Sequence, residues 1–250
     1  MEKRIEELSI NAWPSRQTLV YDGWILRFGG GYTRRANSIS PLYESKLSFT
    51  EKIEYCERLY SSAGLNTVFK LTDKGSPEGL DEFLSAQCYR EEAQTSVQVL
   101  ELPCEGGTIP IDFKAYASLD EGWFQSLCSI NEVSLENAGK LKAILSGIVP
   151  ERYFAELEID GRLGACGVGV VENGFIGLYD IVVDKKLRGK GHGRRLMESM
   201  LCLGREKGAS SAYLQVMLDN PAALKLYESL GFRELYKYWY RVKERCRENE

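Results

Sequence analysis

Histidine is almost absent from this chain, with His192 the only one in 250 residues. A zinc site built on paired histidines cannot be assembled, and a Ser-His-Asp triad would have to use a residue set in a glycine-rich turn. Seven cysteines, at positions 56, 88, 104, 128, 166, 202 and 246, form an odd set with no CxxC pair. That pattern excludes both a disulfide framework and a Cys-based zinc finger, and reads as reduced thiols in a cytoplasmic protein. No apolar run approaches the ~18 residues needed to cross a bilayer, so no membrane partner is expected. The opening MEKRIEELSINAWP has no apolar core of the secretory kind. Thirty-two basic against 36 acidic side chains leave net −4, too acidic to hold nucleic acid by bulk charge.

What is present is ordinary globular material, 44% hydrophobic and 27% charged, long enough for one large domain or two small ones. The segment ELPCEGGTIP at 101–110, with two prolines and a Gly-Gly pair, reads as a linker and puts a boundary near residue 107. Residues 1–107 carry 12 basic and 16 acidic side chains, whereas 108–250 carry 20 of each.

In the second half the pattern predicts a strand at 111–116 and two helices across 120–148, broken near 137–139. Strands follow at 152–159, 163–171 and 175–183, joined by Asp160-Gly161 and Asn173-Gly174, the dipeptides of type I′ hairpins. A helix at 194–207, a strand at 211–217, a Pro-started helix at 221–230 and a strand at 233–242 complete it. That last strand can pair across a homodimer or within one chain.

Between the third meander strand and the helix lies Arg188-Gly189-Lys190-Gly191-His192-Gly193, flanked by Lys185, Lys186, Arg194 and Arg195. Alternating glycines let successive N–H groups converge on one anion, and the following helix adds its positive end. It is no Rossmann fingerprint, since Arg194 stands where a third glycine is required, and no Walker A motif.

These residues match the R/Q-x-x-G-x-G/A signature, and the sequence resembles the GCN5-related N-acetyltransferases (GNAT) over about residues 108–243. The order of elements and the distal segment Asn220-Pro221-Ala-Ala-Leu-Lys-Leu-Tyr227-Glu-Ser-Leu-Gly231-Phe232 share the resemblance. It implies an α/β (α+β) fold, a mixed, mostly antiparallel sheet flanked by helices. It further implies that the amides of Arg188, Gly189, Lys190, Gly191, His192 and Gly193 bind the coenzyme A diphosphate, with Arg194 and Asn220 nearby. Lys185, Lys186 or Arg195 would reach the 3′-phosphate, and Ile181, Val182 and Val183 would pair with the pantetheine arm. Acetyl-CoA is then the cosubstrate and no metal is expected.

Tyr227 is, by the same resemblance, the acid that protonates the departing thiolate; on its spacing with Leu224 and Leu230 it could equally be packing. Asp180 is the candidate base for the acceptor amine, with Tyr179 and Glu172 as the other polar options and a strand-edge carboxylate as its bland reading. His192 reads as an ordinary loop residue, and Cys166 and Cys202 as buried packing.

The first half repeats the end of the second at an offset of 143 or 144 residues. Cys88-Tyr89-Arg90-Glu91 stands against Gly231-Phe232-Arg233-Glu234, with a helix at 49–62, a strand at 67–71, a helix at 79–87 and a strand at 95–102. The phosphate-loop position holds Glu44-Ser45-Lys46-Leu47-Ser48-Phe49, without glycine, and Leu84 stands in place of Tyr227. Residues 1–107 are therefore expected to form a degenerate, non-binding GNAT-like domain before a catalytic one at 108–250, as in tandem enzymes of the mycothiol synthase type. Thr33-Arg34-Arg35-Ala36-Asn37-Ser38 resembles a motif of such N-terminal halves. Asp22-Gly23-Trp24 and the Gly29-Gly30-Gly31 turn fit a hairpin whose second strand is expected to carry Arg34, Arg35, Asn37 and Ser38, for an acceptor or for internal hydrogen bonds. The expected activity is acyl transfer from acetyl-CoA to a small-molecule or peptide amine. The alternatives are a non-catalytic acyl-CoA sensor or scaffold, and aminoacyl transfer from tRNA, which would not need the intact loop.

Overall fold

The computed structural model describes residues 1–103 and 107–245. In the first half, α1 (Glu2–Ala12) precedes the hairpin β1 (Gln17–Tyr21) and β2 (Trp24–Phe28), then β3 (Ile39–Pro41), α2 (Phe49–Ser62), β4 (Thr67–Thr72), α3 (Leu80–Ala86) and β5 (Arg90–Glu101). In the second, β6 (Phe113–Tyr116), α4 (Glu121–Ile130) and α5 (Leu135–Ser146) lead into the meander β7 (Glu151–Ile159), β8 (Arg162–Glu172) and β9 (Phe175–Val183). The chain ends with α6 (His192–Glu206), β10 (Ser211–Met217), α7 (Pro221–Ser229) and β11 (Arg233–Lys243). The mixed, mostly antiparallel sheet flanked by helices is thus as expected.

The predicted I′ turns form: Asp160 and Gly161 have φ of 52° and 75°, Asn173 and Gly174 of 51° and 81°. The helix break falls elsewhere than expected. Glu132, at φ 52°, ends the first helix, and Ser134 caps the second by accepting from the Asn137 N–H, so Asn137 and Gly139 lie inside α5. Arg34 and Arg35 form a short 3₁₀ turn and not a strand. Asn37 holds that turn: its Oδ1 accepts from Gly29 and Gly31 N–H at 2.8 Å each, and its Nδ2 donates to the Thr33 carbonyl at 2.7 Å.

Two compact units emerge, one of Met1–Ser96 with the residues from Tyr236 on, the other Val97–Leu235. The strand order of the first is β1-β2-β3-β4-β11, where β11 lies antiparallel on β4 with Tyr238 opposite Thr72 and Lys243 opposite Thr67. The second runs β5-β10-β9-β8-β7-β6, with β10 parallel to β9 and the meander antiparallel. Each unit is therefore completed by a strand from the other half of the sequence, and β11 finds its partner within the chain.

The core of the first unit gathers Trp24, Leu26, Ile39, Tyr60, Phe69 and Leu84 beneath α2 and α3. In the second, α6 turns Leu196, Met197 and Met200 onto Ala155, Leu157, Ala165 and Leu178 of the meander. This packing fixes the start of α6 at the end of β9.

Candidate active site

The site begins where two parallel strands part. β9 and β10 pair from Phe175 opposite Ser211 to Leu178 opposite Leu214 and no further among the described residues. On its other side β9 has a bulge: Cys166 faces Val182 and Val168 faces Tyr179, so Asp180 and Ile181 together oppose Gly167. Asp180 takes φ 46°, the left-handed conformation that lets one strand absorb the extra residue. Beyond the bulge, Asp184 N–H bonds the Gly164 carbonyl at 2.9 Å. Backbone groups alternate sides along a strand, so those of Val183 point away from β8, and its carbonyl accepts from Arg188 Nε at 3.1 Å.

The turn after β9 is built to leave amides open. Buried Leu187 anchors it, and Asp184 caps it by accepting from Lys186 N–H at 2.9 Å. Gly189 and Gly191 have φ of 75° and 83°, and a Cβ on either would meet nothing within 4 Å, so glycine is demanded by conformation while the space in front stays clear. Gly191 is the N-cap of α6 and supplies no side-chain acceptor, so the first N–H groups of a 15-residue helix lack intrahelical partners.

The surrounding cations are only partly committed. Arg194 bonds Glu198 at 3.0 Å and Ser229 Oγ at 2.6 Å, Arg195 bonds Asp112 at 2.5 Å, and Lys185 bonds Glu132 at 2.6 Å. These pairs are exposed and cheap to exchange for a phosphate. Lys186 and Lys190 have no ion pair among the described residues, which makes Lys186 the readiest of the three cations expected at a 3′-phosphate. His192 lies half-buried in the first turn of α6, and Gly193 packs beside Leu226 and Val183.

Asn220 spends its Oδ1 on the Ala223 N–H at 3.1 Å, starting α7 together with Pro221. One helical turn on from Ala223, Tyr227 is 8% exposed, its ring 6.0 Å from that of Phe232. Its hydroxyl has no hydrogen-bond partner among the described residues, and burial pushes its pKa up to about 12. Such a phenol keeps its proton at neutral pH. Tyr227 thus combines a packed ring with an uncommitted hydroxyl.

Of the other polar candidates, Tyr179 shares a hydrogen bond with Tyr213 at 2.8 Å, and Glu172 lies opposite Phe175 at the far end of β9 from the bulge. Asp180 alone stands at the opening. Sequence reading passed over Glu156, which lies opposite Cys166 and accepts from the Tyr116 hydroxyl at 3.0 Å; the strand alternation of β7 was the available signal. Burial first, then the charges of Asp180 and Glu156, push the Cys166 thiol well up, so it is packing and no nucleophile.

The first unit repeats the strand, turn, helix, parallel strand pattern in β3, α2 and β4, but closes the turn with its own carboxylates. Asp22 accepts from the N–H groups of Lys46 and Leu47 at 2.9 Å each, and Glu51 from the N–H and hydroxyl of Ser48 at 3.1 and 2.7 Å. The Ser48 capping box then satisfies the start of α2. The amides of Lys46, Leu47, Ser48 and Glu51 are thus already taken by side chains.

A diverging parallel strand pair, a bulge and an uncapped glycine turn before a helix define the class of GCN5-related N-acetyltransferases. The chain is matched over residues 3–241 by the family model described as "Probable histone acetyltransferase Rv0428c C-terminal", and it belongs to that family. It is 28% identical over 250 residues to the "Uncharacterized N-acetyltransferase YobR" of Bacillus subtilis, covering 96% of this chain and 98% of that one. The "[Ribosomal protein bS18]-alanine N-acetyltransferase" of Escherichia coli is 35% identical over 85 residues, 34% of this chain and 57% of its own length. Among solved structures, a GCN5-related N-acetyltransferase from Kribbella flavida superposes with a TM-score of 0.70 at 14% identity, covering 96% and 95% of the two chains. A tandem GNAT protein from the clavulanic acid biosynthesis pathway gives 0.60 at 12% identity, over 95% and 87%. The protein is an N-acetyltransferase of the GNAT type.

Proposed function

We propose that the protein transfers an acetyl group from acetyl-CoA to a primary amine of a small molecule or peptide, by direct attack without a covalent enzyme intermediate. The observation that carries this reading is the uncapped turn from Arg188 to Gly193, opening beside the unpaired end of β9. Its amides hold the diphosphate, reinforced by the helix end, with Arg194 exchanging Glu198 for phosphate and Asn220 fixing the start of α7 nearby. Residues Ile181 to Val183 pair with the pantetheine arm as an added strand would, and the Val183 N–H polarises the thioester carbonyl. Asp180 accepts the proton that the attacking amine must lose, and the Tyr227 hydroxyl protonates the leaving thiolate. A thiol of pKa ~8.5 leaves readily, so the acid contributes less than the positioning does.

The acceptor class rests on the relatives' names, one of which specifies the alanine amine of a ribosomal protein. The test is calorimetry of the whole protein with acetyl-CoA and with coenzyme A, followed by thiol release against a panel of amines. Binding with release by some amine supports the enzyme; binding without release from any amine favours a sensor; no binding removes the reading. Gly191→Trp is expected to lower coenzyme affinity by roughly 100-fold or more, since filling the turn costs several charge-assisted hydrogen bonds of ~1.5–3 kcal/mol each. Unchanged affinity in that variant, folded by circular dichroism, would remove the loop from the site.

A further inference from the structure

The first unit keeps a polar cleft of about 300 Å³ that no step of acetyl transfer uses. It lies at the carboxyl ends of β3 and β4, which run parallel, pair at Ile39 opposite Phe69, and then separate. Ligands of open α/β sheets bind outside the carboxyl ends of parallel strands, where the backbone diverges.

Its floor is charged and matched. Lys70 donates to both carboxylate oxygens of Glu6 at 2.6 and 2.7 Å and lies 4.1 Å from the centroid of the Tyr238 ring, while the Tyr236 hydroxyl donates to Glu6 at 2.5 Å. Glu6 and Lys70 are 3% and 8% exposed. Apolar residues of the same volume stabilise a core at least as well as such a pair, so stability alone gives no reason to bury these charges. Beside them Ser40, 5% exposed, lines the cleft with a hydroxyl that has no hydrogen-bond partner among the described residues. A hydroxyl on a cleft wall with no partner from the protein can bond a guest that enters the cleft.

The rim sets the sign of the guest. Lys3 and Lys74 stand there against Glu2, two cations to one carboxylate. With the floor neutral as a pair, the cleft as a whole favours an anion, and its volume is at the lower end for ligand sites, too small for a coenzyme. We propose that this cleft binds a small carboxylate of amino-acid size, the Ser40 hydroxyl hydrogen-bonding the guest at the floor and Lys74 with Lys3 pairing with its charge at the rim.

The test is nuclear magnetic resonance titration of the full ¹⁵N-labelled chain with acetate, with glutamate, and with putrescine as a cationic control. Saturating shifts at the amides of Ser40, Lys70 and Thr72 are expected for a carboxylate and not for putrescine, and they should persist with the acetyltransferase site filled by coenzyme A. Response to glutamate alone assigns an amino acid, response to both assigns any simple carboxylate. Ser40→Ala and Lys74→Gln should each weaken binding roughly tenfold, the effect of one ~1.4 kcal/mol contact, in chains that circular dichroism shows folded; Ser40→Ala, which removes an unpartnered hydroxyl, should also keep the parent's thermal midpoint. The proposal is overturned if neither carboxylate saturates, if putrescine shifts the same amides equally, or if both variants bind as the parent does.

Discussion

Tyr227 joins a packed ring to an uncommitted hydroxyl. Its ring fills the space against Phe232 while its hydroxyl stays uncommitted, and burial keeps it protonated. Tyr227→Phe is expected to leave coenzyme affinity and the thermal midpoint nearly unchanged and to lower kcat by about 10- to 100-fold, the lower part of the usual range for general acid catalysis. Full turnover in that variant would leave only the packing role. Asp22 gives a residue-level prediction with a sign. The Leu47 N–H first, and then that of Lys46, hold its carboxyl below the usual range. A lowered folded pKa contributes stability that is present above the unfolded value and lost as pH falls through the folded one. Asp22→Asn should therefore flatten the acid limb of the stability profile below about pH 4, read by denaturant unfolding across pH.

Between elements, what separates the two turns is the chemistry at one helix start. α6 begins on Gly191, which brings no acceptor, and α2 begins on Ser48, whose side chain accepts from the Glu51 N–H while Glu51 accepts from that of Ser48. One turn is left wanting an anion, and the other has been given two carboxylates. Calorimetry should accordingly find one coenzyme per chain, and a second site of similar affinity would contradict the closed turn. The strand exchange is also decided at this level. Arg241 on β11 grips Asp81 of α3 through Nε and Nη2 at 2.8 and 2.7 Å, and Trp239 Nε1 donates to the same carboxylate at 2.7 Å. That network gives β11 a reason to end on β4. Asp81→Ala is expected to cost about 2–3 kcal/mol by thermal unfolding, since it removes the bidentate partner of Arg241, which keeps only Glu91 and the Tyr89 carbonyl, and leaves the Trp239 indole N–H unpaired.

For the whole molecule, the exchange means that neither half of the sequence is a self-sufficient folding unit. A fragment of residues 1–107 would lack the strand that covers β4, exposing a row of unpaired backbone groups along it. Such a fragment is expected to show no cooperative thermal transition unless the remainder is added, whereas two independent transitions from separate halves would contradict the exchange.

Much of this was legible beforehand. The bounds of α2, β9 and β10 follow from periodicity and turn dipeptides, because hairpin turns and helix caps are local chemistry. Gly189 and Gly191 announced the turn before α6 for the same reason, as a left-handed backbone is a property of one residue. The break between α4 and α5 was misplaced because Asn137 and Gly139 are breakers only in the absence of Ser134, a better cap just upstream. Other features lay outside what one sequence displays. That Glu156 stands across from Cys166, that Asp22 reaches the amides of Lys46 and Leu47, and that β5 and β11 change places all depend on register between distant segments. Short-range preferences fixed the elements and the glycine turn; which strand lies beside which, and hence which carboxylate faces which amide, was decided only when the burial of both cores was settled together.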